Sequence, residues 1–401
     1  MPHRDRNMRR IAPTVCALTL GVLAVTASPT RGQVALTAPT ASFPEDFGSV
    51  QTVRELPDGR VLVADPLGMA LFLVDLEAGT RTVVGSEGQG PEEYRQPDAV
   101  WPLPGDSTLL VDLGNGRLVA LGPDLSFGPT TPIAMSDFQP GQPGQELVLA
   151  LPQGVDGQGH VFSRLMGGLG GPLADSADIV RIDRATRSHE RVASFKLGER
   201  KQSTSGGANN RNVQISNIPL SPEDAWGVGA DGSVVIARAG DYHVEWHRPD
   251  GSVARGKSVP FEPVSIRTAE KEAWVAAQGR TGGGIGVSVM VQNGSVQMGF
   301  QRGGAGGGRR EIDQYEWPDV MAPFYQGRIP VDGQGRAWVR RHRRAGAPAL
   351  YDVFGADGDL VGSVTLPEDG TIVGFGQATI YVVTYDEFDL NYLERYAMPA
   401  L

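Results

Sequence analysis

The stretch Val50-Gln51-Thr52-Val53-Arg54-Glu55-Leu56-Pro57-Asp58-Gly59-Arg60-Val61-Leu62-Val63-Ala64-Asp65 reads as two strands joined by a tight turn. Asp58-Gly59 supplies the positive φ that a short hairpin turn needs, so the flanking strands must be antiparallel neighbours. The second strand, Val61 to Asp65, is apolar at nearly every position rather than at every other one, so both of its faces are buried. Ala70 to Asp75, a turn at Glu77-Ala78-Gly79, and Arg81 to Val84 complete a unit of four strands.

The same unit recurs along the chain. A second copy runs from Ala99 through a turn at Gly105-Asp106 to Leu109–Asp112, then Arg117 to Leu121 and a turn at Pro123-Asp124. The third uses Leu147 to Leu151, Asp156-Gly157, His160 to Phe162 and Ile179 to Asp183. The fourth uses Ala225 to Gly229, Asp231-Gly232, Val234 to Ala237, Tyr242 to His247 and Asp250-Gly251. The fifth uses Gly327 to Val331, Asp332-Gly333, Ala337 to Val339, Ala349 to Phe354 and Asp357-Gly358. The last has Ile372 to Phe375, Ile380 to Val383 and Leu390 to Tyr396. Six copies are countable, and where no insertion intervenes their turns are spaced by about 45 to 50 residues, which suits four-stranded blades.

A four-stranded sheet buried on both sides must be sandwiched between copies of itself, and radial stacking into a β-propeller does this while protecting the strand edges. The expected fold is therefore all-β, a six-bladed propeller. Its last copy runs out of chain after a third strand, and Val34 to Phe43 is an orphan extended segment. That segment is expected to supply the outer strand of the last blade and close the ring.

The N-terminus carries Arg4, Arg6, Arg9 and Arg10, then an apolar run from Ile11 to Ala27 that contains Pro13. This is the grammar of a secretory signal peptide, and the run is shorter than the ~20 residues of a spanning helix. Residues 1–32 are read as a leader, with cleavage after 27 or 32, and 33–401 as the propeller. The chain is expected to be exported to the periplasm or beyond, and not to be membrane-embedded after cleavage. Cleavage would remove Cys16, the one cysteine, and with it thiolate chemistry and cysteine-bound metals. With 46 Asp+Glu against 36 Lys+Arg the chain lacks the net basic footprint of a nucleic-acid binder. The local run Arg340, Arg341, His342, Arg343, Arg344 reads as a solvated strand end and loop rather than an anion site.

Two insertions interrupt the repeat. Residues 198–217 are rich in Ser, Gly and Asn and read as a polar surface loop. Residues 262–317 open with the one good helix pattern, with Thr268 as cap, Glu270 and Glu272 at the positive end and Gly279 at the stop. Val287 to Gln292, Asn293-Gly294 and Val296 to Phe300 then form a hairpin signature, followed by the low-complexity run Gly303 to Gly308. The insertion is read as a decoration packed on a blade edge.

Local catalytic motifs are missing. His243 and His247 fall on a strand that turns Tyr242, Val244 and Trp246 inward, and four strand residues separate them by about 13 Å, too far to share an ion. Asp65, Asp75 and Asp112 end apolar strands and are expected to accept backbone N–H bonds in the following turns. There is no calcium loop, no phosphate loop and no Gly-x-Ser-x-Gly elbow.

The segment Gly85-Ser86-Glu87-Gly88-Gln89-Gly90-Pro91-Glu92-Glu93-Tyr94-Arg95-Gln96-Pro97, with Leu109–Asp112 and Gly114-Asn115-Gly116-Arg117-Leu118 after it, resembles the inter-blade loops of NHL-type and TolB-like bacterial six-bladed propellers. It departs from their pattern at Glu92, where they have glycine, and at Tyr94, where they have phenylalanine. The resemblance implies a fold more than an activity, because such propellers include binding platforms as well as lactonases and lyases. The leading expectation is an exported, non-catalytic binding module without a cofactor. It would recognise a protein, glycan or envelope component through loops on one face, with Glu93, Tyr94, Arg95, Asp65 and Asp112 as candidate ligand contacts. The alternative is a metal-dependent, lactonase-like hydrolase whose Glu, Asn and Asp ligands come from different blades, with Asp65, Asp112 and Glu93 nearest to that role.

Overall fold

The computed structural model describes residues 32–135, 146–165, 174–205, 212–280, 284–292, 295–302 and 311–401. Residues 1–31 of the 1–32 segment read as a leader, the turn at Asn293-Gly294 and the run Gly303 to Gly308 lie outside the described residues. The described chain is a six-bladed β-propeller. Blade one pairs Val53–Glu55, Val61–Asp65, Ala70–Asp75 and Thr80–Val83 in antiparallel sequence. Blade two follows with Pro97–Pro102, Thr108–Asp112, Arg117–Leu121 and Phe127–Pro132. The strands read as buried on both faces are so: Val61 to Asp65 and Thr108 to Asp112 are buried at every position.

Blades three and four are built from Gly154–Val155, Val161–Arg164, Ser176–Asp183 and Ser188–Lys196, and from Ala225–Val228, Val234–Arg238, His243–His247 and Val253–Arg255. The innermost strand of blade three is not Leu147 to Leu151, as expected from its apolar run. Those residues precede it and are buried in the core between blades two and three, Ala134 bridging to Leu149. Blade five also differs from its reading. Gly327–Arg328 pairs in parallel with Ala225–Val228 of blade four, so that the chain crosses from one blade to the next before Val331 bridges to Ala337. The sheet of blade five proper is Ala337–Arg340, Leu350–Phe354 and Leu360–Thr365.

Ring closure follows the expectation and adds to it. Blade six comprises Thr371–Phe375, Thr379–Tyr385 and Asn391–Ala397, and Ala41–Ser42 forms its outer strand in antiparallel register. Just before it, Gln33–Ala35 pairs in parallel with Leu360–Thr365 at the outer edge of blade five. The N-terminal segment thus covers two blade edges. Phe43 and Phe47 plug it into the core beside Phe72, and the Arg81 guanidinium lies 4.6 Å from the centre of the Phe72 ring.

At the hub the inner strands come close enough that a side chain would not fit at every position. A Cβ on Gly227 would lie 2.0 Å from the Ile329 carbonyl oxygen, and one on Gly374 would lie 2.8 Å from that of Val53. Glycine is what lets neighbouring blades touch there.

The insertions are more ordered than their compositions suggest. Arg200–Ser205 and Asn212–Asn217 of the polar segment form an antiparallel hairpin instead of a loop. The helix spans Thr268–Arg280, and its start is fixed by Glu270, whose carboxylate accepts the Arg267 N–H at 3.1 Å. This is one half of a capping box, with Arg267 rather than Thr268 at the cap position. Arg280 at the other end ion-pairs with Asp369 and Asp389 and stacks on Tyr385, which ties the helix to blades five and six. Ile285–Gln292 and Ser295–Arg302 form the second hairpin.

Candidate functional site

The inner strands of all six blades surround a central channel. Its deeper chamber, about 220 Å³, is lined by Val53, Trp101, Val155, Val228, Ile329 and Val373, one residue from each blade's innermost segment, among others. A larger cavity of about 560 Å³ lies at the end where the inner strands begin. The Ile285–Arg302 hairpin folds over this end: Phe300 is buried in the blade two–blade three core, with Ile285, Val287 and Met298 packed beside it. The insertion therefore covers the channel mouth, a more specific role than a decoration on a blade edge.

The cavity wall is mixed. Trp101, Val111, Leu149, Leu151, Ile285 and Val287 make it apolar, and Gln51, Thr52, Asp98, Gln153, Ser163, Arg164, Arg302 and Arg328 bring polar groups into it. Asp98 is the one carboxylate among these lining residues. It is 3% exposed and is held by Arg302, whose Nη2 donates to Asp98 Oδ2 at 3.2 Å and whose Nε donates to Oδ1. Gln96 fixes the same arginine from below: Gln96 Oε1 accepts the Arg302 N–H at 2.9 Å, and Gln96 Nε2 donates to the Arg302 carbonyl at 2.8 Å.

Thr52, Trp101, Gln153 and Arg328 line both chambers and form the waist between them. The Arg328 guanidinium lies 5.3 Å from the centre of the Trp101 ring, a cation–π distance. Burial at the waist lowers its pKa to about 10, so it remains a cation at neutral pH. Gln153 Nε2 donates to the Trp226 carbonyl at 3.2 Å, which fixes the amide across to blade four.

The residues singled out in the sequence lie at the junction of blades one and two, outside this lining. Asp65 accepts N–H bonds from Gly48, Ser49, Leu67 and Gly68. Asp112 accepts from the backbone of Arg95 and Gln96 and from the side chains of Asn115 and Arg117. Glu93 Oε2 accepts the Gly90 N–H at 2.6 Å, the Tyr94 hydroxyl accepts the Leu71 N–H at 3.0 Å, and the Arg95 side chain is exposed. Asp75 likewise accepts from Glu77 and Ala78. These groups clamp turns and inter-blade loops.

A blade-spanning divalent ion does not fit this donor set. Asp65, Asp112 and Glu93 spend their oxygens on N–H donors, and among the described residues no three His, Asp or Glu side chains are grouped to hold an ion. His243 and His247 flank Glu245 on one strand face, their Nε2 atoms 3.0 and 3.4 Å from its carboxylate. Burial opposes the charge on Glu245, but His243 and Arg238 outweigh it and hold its pKa at about 2. His243 is also buried, which the alternation of that strand did not predict.

Within the basic run from residue 340 to 344, Arg344 is exposed as expected, but residues 340 to 342 are not a solvated face. Arg340 donates to Asp369 and Thr371 and stacks on Tyr325, and Arg341 donates to Asp352. His342 is buried with Nδ1 2.8 Å from the Ala322 carbonyl, and burial followed by the nearby Arg340 charge lowers its pKa to about 4.

No protein-family profile matches the chain, and no curated protein matches it. Solved structures do. A gluconolactonase from Xanthomonas campestris is 11% identical, with 92% of this chain and 99% of that one aligned and a TM-score of 0.38. A calcium-binding regucalcin from Agrobacterium tumefaciens is 10% identical over 90% and 94%, with a TM-score of 0.37. Virginiamycin B lyase from Staphylococcus aureus is 9% identical over 89% and 98%, with a TM-score of 0.36. These proteins are named for lactones, calcium and streptogramins rather than for scaffolding, and the expectation of a non-catalytic platform is corrected accordingly. None of the three bears specifically on the NHL-type resemblance, and the likeness stops at the propeller. No helix among the described residues is long and apolar enough to cross a membrane.

Proposed function

We propose that the chain is a small-molecule hydrolase of the lactone- or ester-cleaving kind, working in the cavity at the channel mouth. The observation that carries this reading is the cavity itself: concave, largely apolar, roofed by the hairpin, with a few convergent polar groups and one buried carboxylate. Asp98 is the general base in this reading. Arg302 and Gln96 hold it in one orientation, so that it takes a proton from water while the hydroxyl adds to the carbonyl carbon of the bound ester and the π electrons move to the carbonyl oxygen. As that tetrahedral adduct collapses, the bond to the leaving alkoxide breaks and Asp98 returns its proton to it. No step is routed through a metal, because the ligand set for one does not fit. Export by the leader, read from residues 1–32, is part of the same proposal.

The test is turnover of a panel of lactones and carboxylic esters by the wild type and by Leu151→Trp, which fills the cavity from its wall. Hydrolysis that falls at least tenfold in kcat/KM, with the circular dichroism spectrum unchanged, supports the reading. Equal turnover by the two proteins places the chemistry elsewhere.

A further inference from the structure

The channel waist carries a cation that the fold does not neutralise. Several internal guanidinium groups pair with carboxylates, Arg238 with Asp224 and Glu245, Arg336 with Asp332, Arg341 with Asp352 and Arg302 with Asp98, while the buried Arg54, away from the channel waist, donates to the Thr108 hydroxyl. Arg328 differs. Its Nη2 donates to the Val373 carbonyl at 3.3 Å and its plane rests on Trp101, and among the described residues no carboxylate pairs with it. It sits within a chain of net charge −10, so acidic side chains are not scarce.

A second observation points the same way. Trp101 is 8% exposed, and its Nε1 is buried with no acceptor among the described residues. A buried indole N–H normally finds a partner. Among the described residues, the waist thus combines a guanidinium fork with one N–H donated to a protein acceptor, an indole donor without an acceptor, and no anion of its own.

We infer that the waist formed by Arg328 and Trp101 is a carboxylate-binding site, so that the molecules taken into the channel carry an acid group. This rests on the proposed function for the identity of the ligand as substrate, and it adds the substrate class: a lactone or ester bearing a free carboxylate. The fork of a guanidinium matches the two oxygens of a carboxylate, and the Trp101 ring lies at a cation–π distance from it. A phosphate group would call for a further cation or a nest of backbone N–H groups at the waist, and of the four residues that form it, Thr52, Trp101, Gln153 and Arg328, only Arg328 is a cation. With the acid arm at the waist, the remainder of the molecule extends into the larger chamber towards Asp98. Because Arg328 stays charged through neutral pH, binding is expected to be flat between pH 6 and 8.5.

The experiment is calorimetric titration of the full purified chain with acetate, benzoate and succinate, with acetamide and benzamide as neutral counterparts and with inorganic phosphate. The expected result is saturable binding of at least one acid, at least tenfold weaker binding of its amide, and at least tenfold loss in Arg328→Gln. Trp101→Phe keeps the ring, removes the N–H and is expected to weaken the acid by about threefold. If Arg328→Gln does not fold, Arg328→Lys keeps the charge, loses the fork and should weaken the acid several-fold. No acid bound, amides bound equally well, phosphate bound more tightly than every acid, or unchanged affinity in the folded variant overturns the inference. Hydrolysis of neutral lactones without acid binding sinks the inference and leaves the proposed function. Acid binding without hydrolysis of any lactone or ester does the reverse.

Discussion

Arg302, at the end of the second insertion hairpin, reaches across 204 residues of sequence to hold the buried carboxylate of Asp98 on the inner strand of blade two. One pair thus fixes both the roof of the channel cavity and its one acidic side chain. Removing either partner leaves the other charge buried alone, at a cost of about 3 kcal/mol, whereas removing both costs less than the sum. Urea melts of Asp98→Ala, Arg302→Ala and the double variant should give a coupling energy of at least 1 kcal/mol. Additive single losses would mean that the pair does not anchor the hairpin.

The hub makes a second demand. Gly227→Ala drives a methyl group into the Ile329 carbonyl and should cost about 1–3 kcal/mol, the usual range for overpacking. Gly333→Ala, in a turn where a Cβ would meet nothing within 4 Å, is the control and should stay within about 0.5 kcal/mol. Equal melting temperatures for the two variants would show that the blades can move apart there.

Closure of the ring by the N-terminal segment is tested by deleting Gln33 to Phe43. The deletion strips the outer strands from blades five and six and removes Phe43 from the core, so the melting temperature should fall by several degrees. An unchanged melting temperature refutes the closure.

Stability should also depend on acid in a defined window. His342 is depressed to about 4 in the folded chain against about 6.5 unfolded, so the unfolded state binds its proton first as pH falls. The contribution is full above pH 6.5 and is lost as pH falls through about 4, by about 3 kcal/mol in all. Glu245, depressed to about 2, adds a loss confined to lower pH, from about 4.5 downwards. Denaturant melts at pH 7, 5.5 and 4 should show the first loss in the wild type and a flatter profile in His342→Gln. Parallel profiles would contradict the assignment.

The propeller was legible because its decisive signals are local. Asp-Gly turns and strands apolar at every position are written within fifteen residues, as in Val50 to Asp65. The site was not legible, because its groups come from different blades. Trp101 reads as one more apolar strand residue, and Arg328 as part of an ordinary first strand, until the parallel pairing of Gly327–Arg328 with blade four brings it to the waist. The same distance problem misread Arg340 and Arg341, whose carboxylate partners Asp369 and Asp352 lie on later segments. Asp65 and Asp112 do accept N–H groups of the turns that follow them, as expected, but the further N–H groups contributed by loops 16 or 17 residues earlier, which use up their remaining oxygens, had no local signal. The close approaches at Gly227 and Gly374 had no sequence signal beyond glycine itself.

The most direct test of the channel as a hydrolytic site is the turnover of lactones and esters by wild type and Asp98→Asn in excess chelator. The asparagine keeps the size of the side chain and part of its bonding to Arg302, so the fold should stand while the base is lost. The proposed mechanism predicts at least one substrate turned over with chelator present, and a kcat lowered by about 10²–10⁴ in the variant when both proteins are assayed well below the variant's melting temperature, which falls because Arg302 loses its counter-charge. Turnover that is insensitive to Asp98→Asn, or that vanishes with chelator and returns with a single divalent ion, would contradict it.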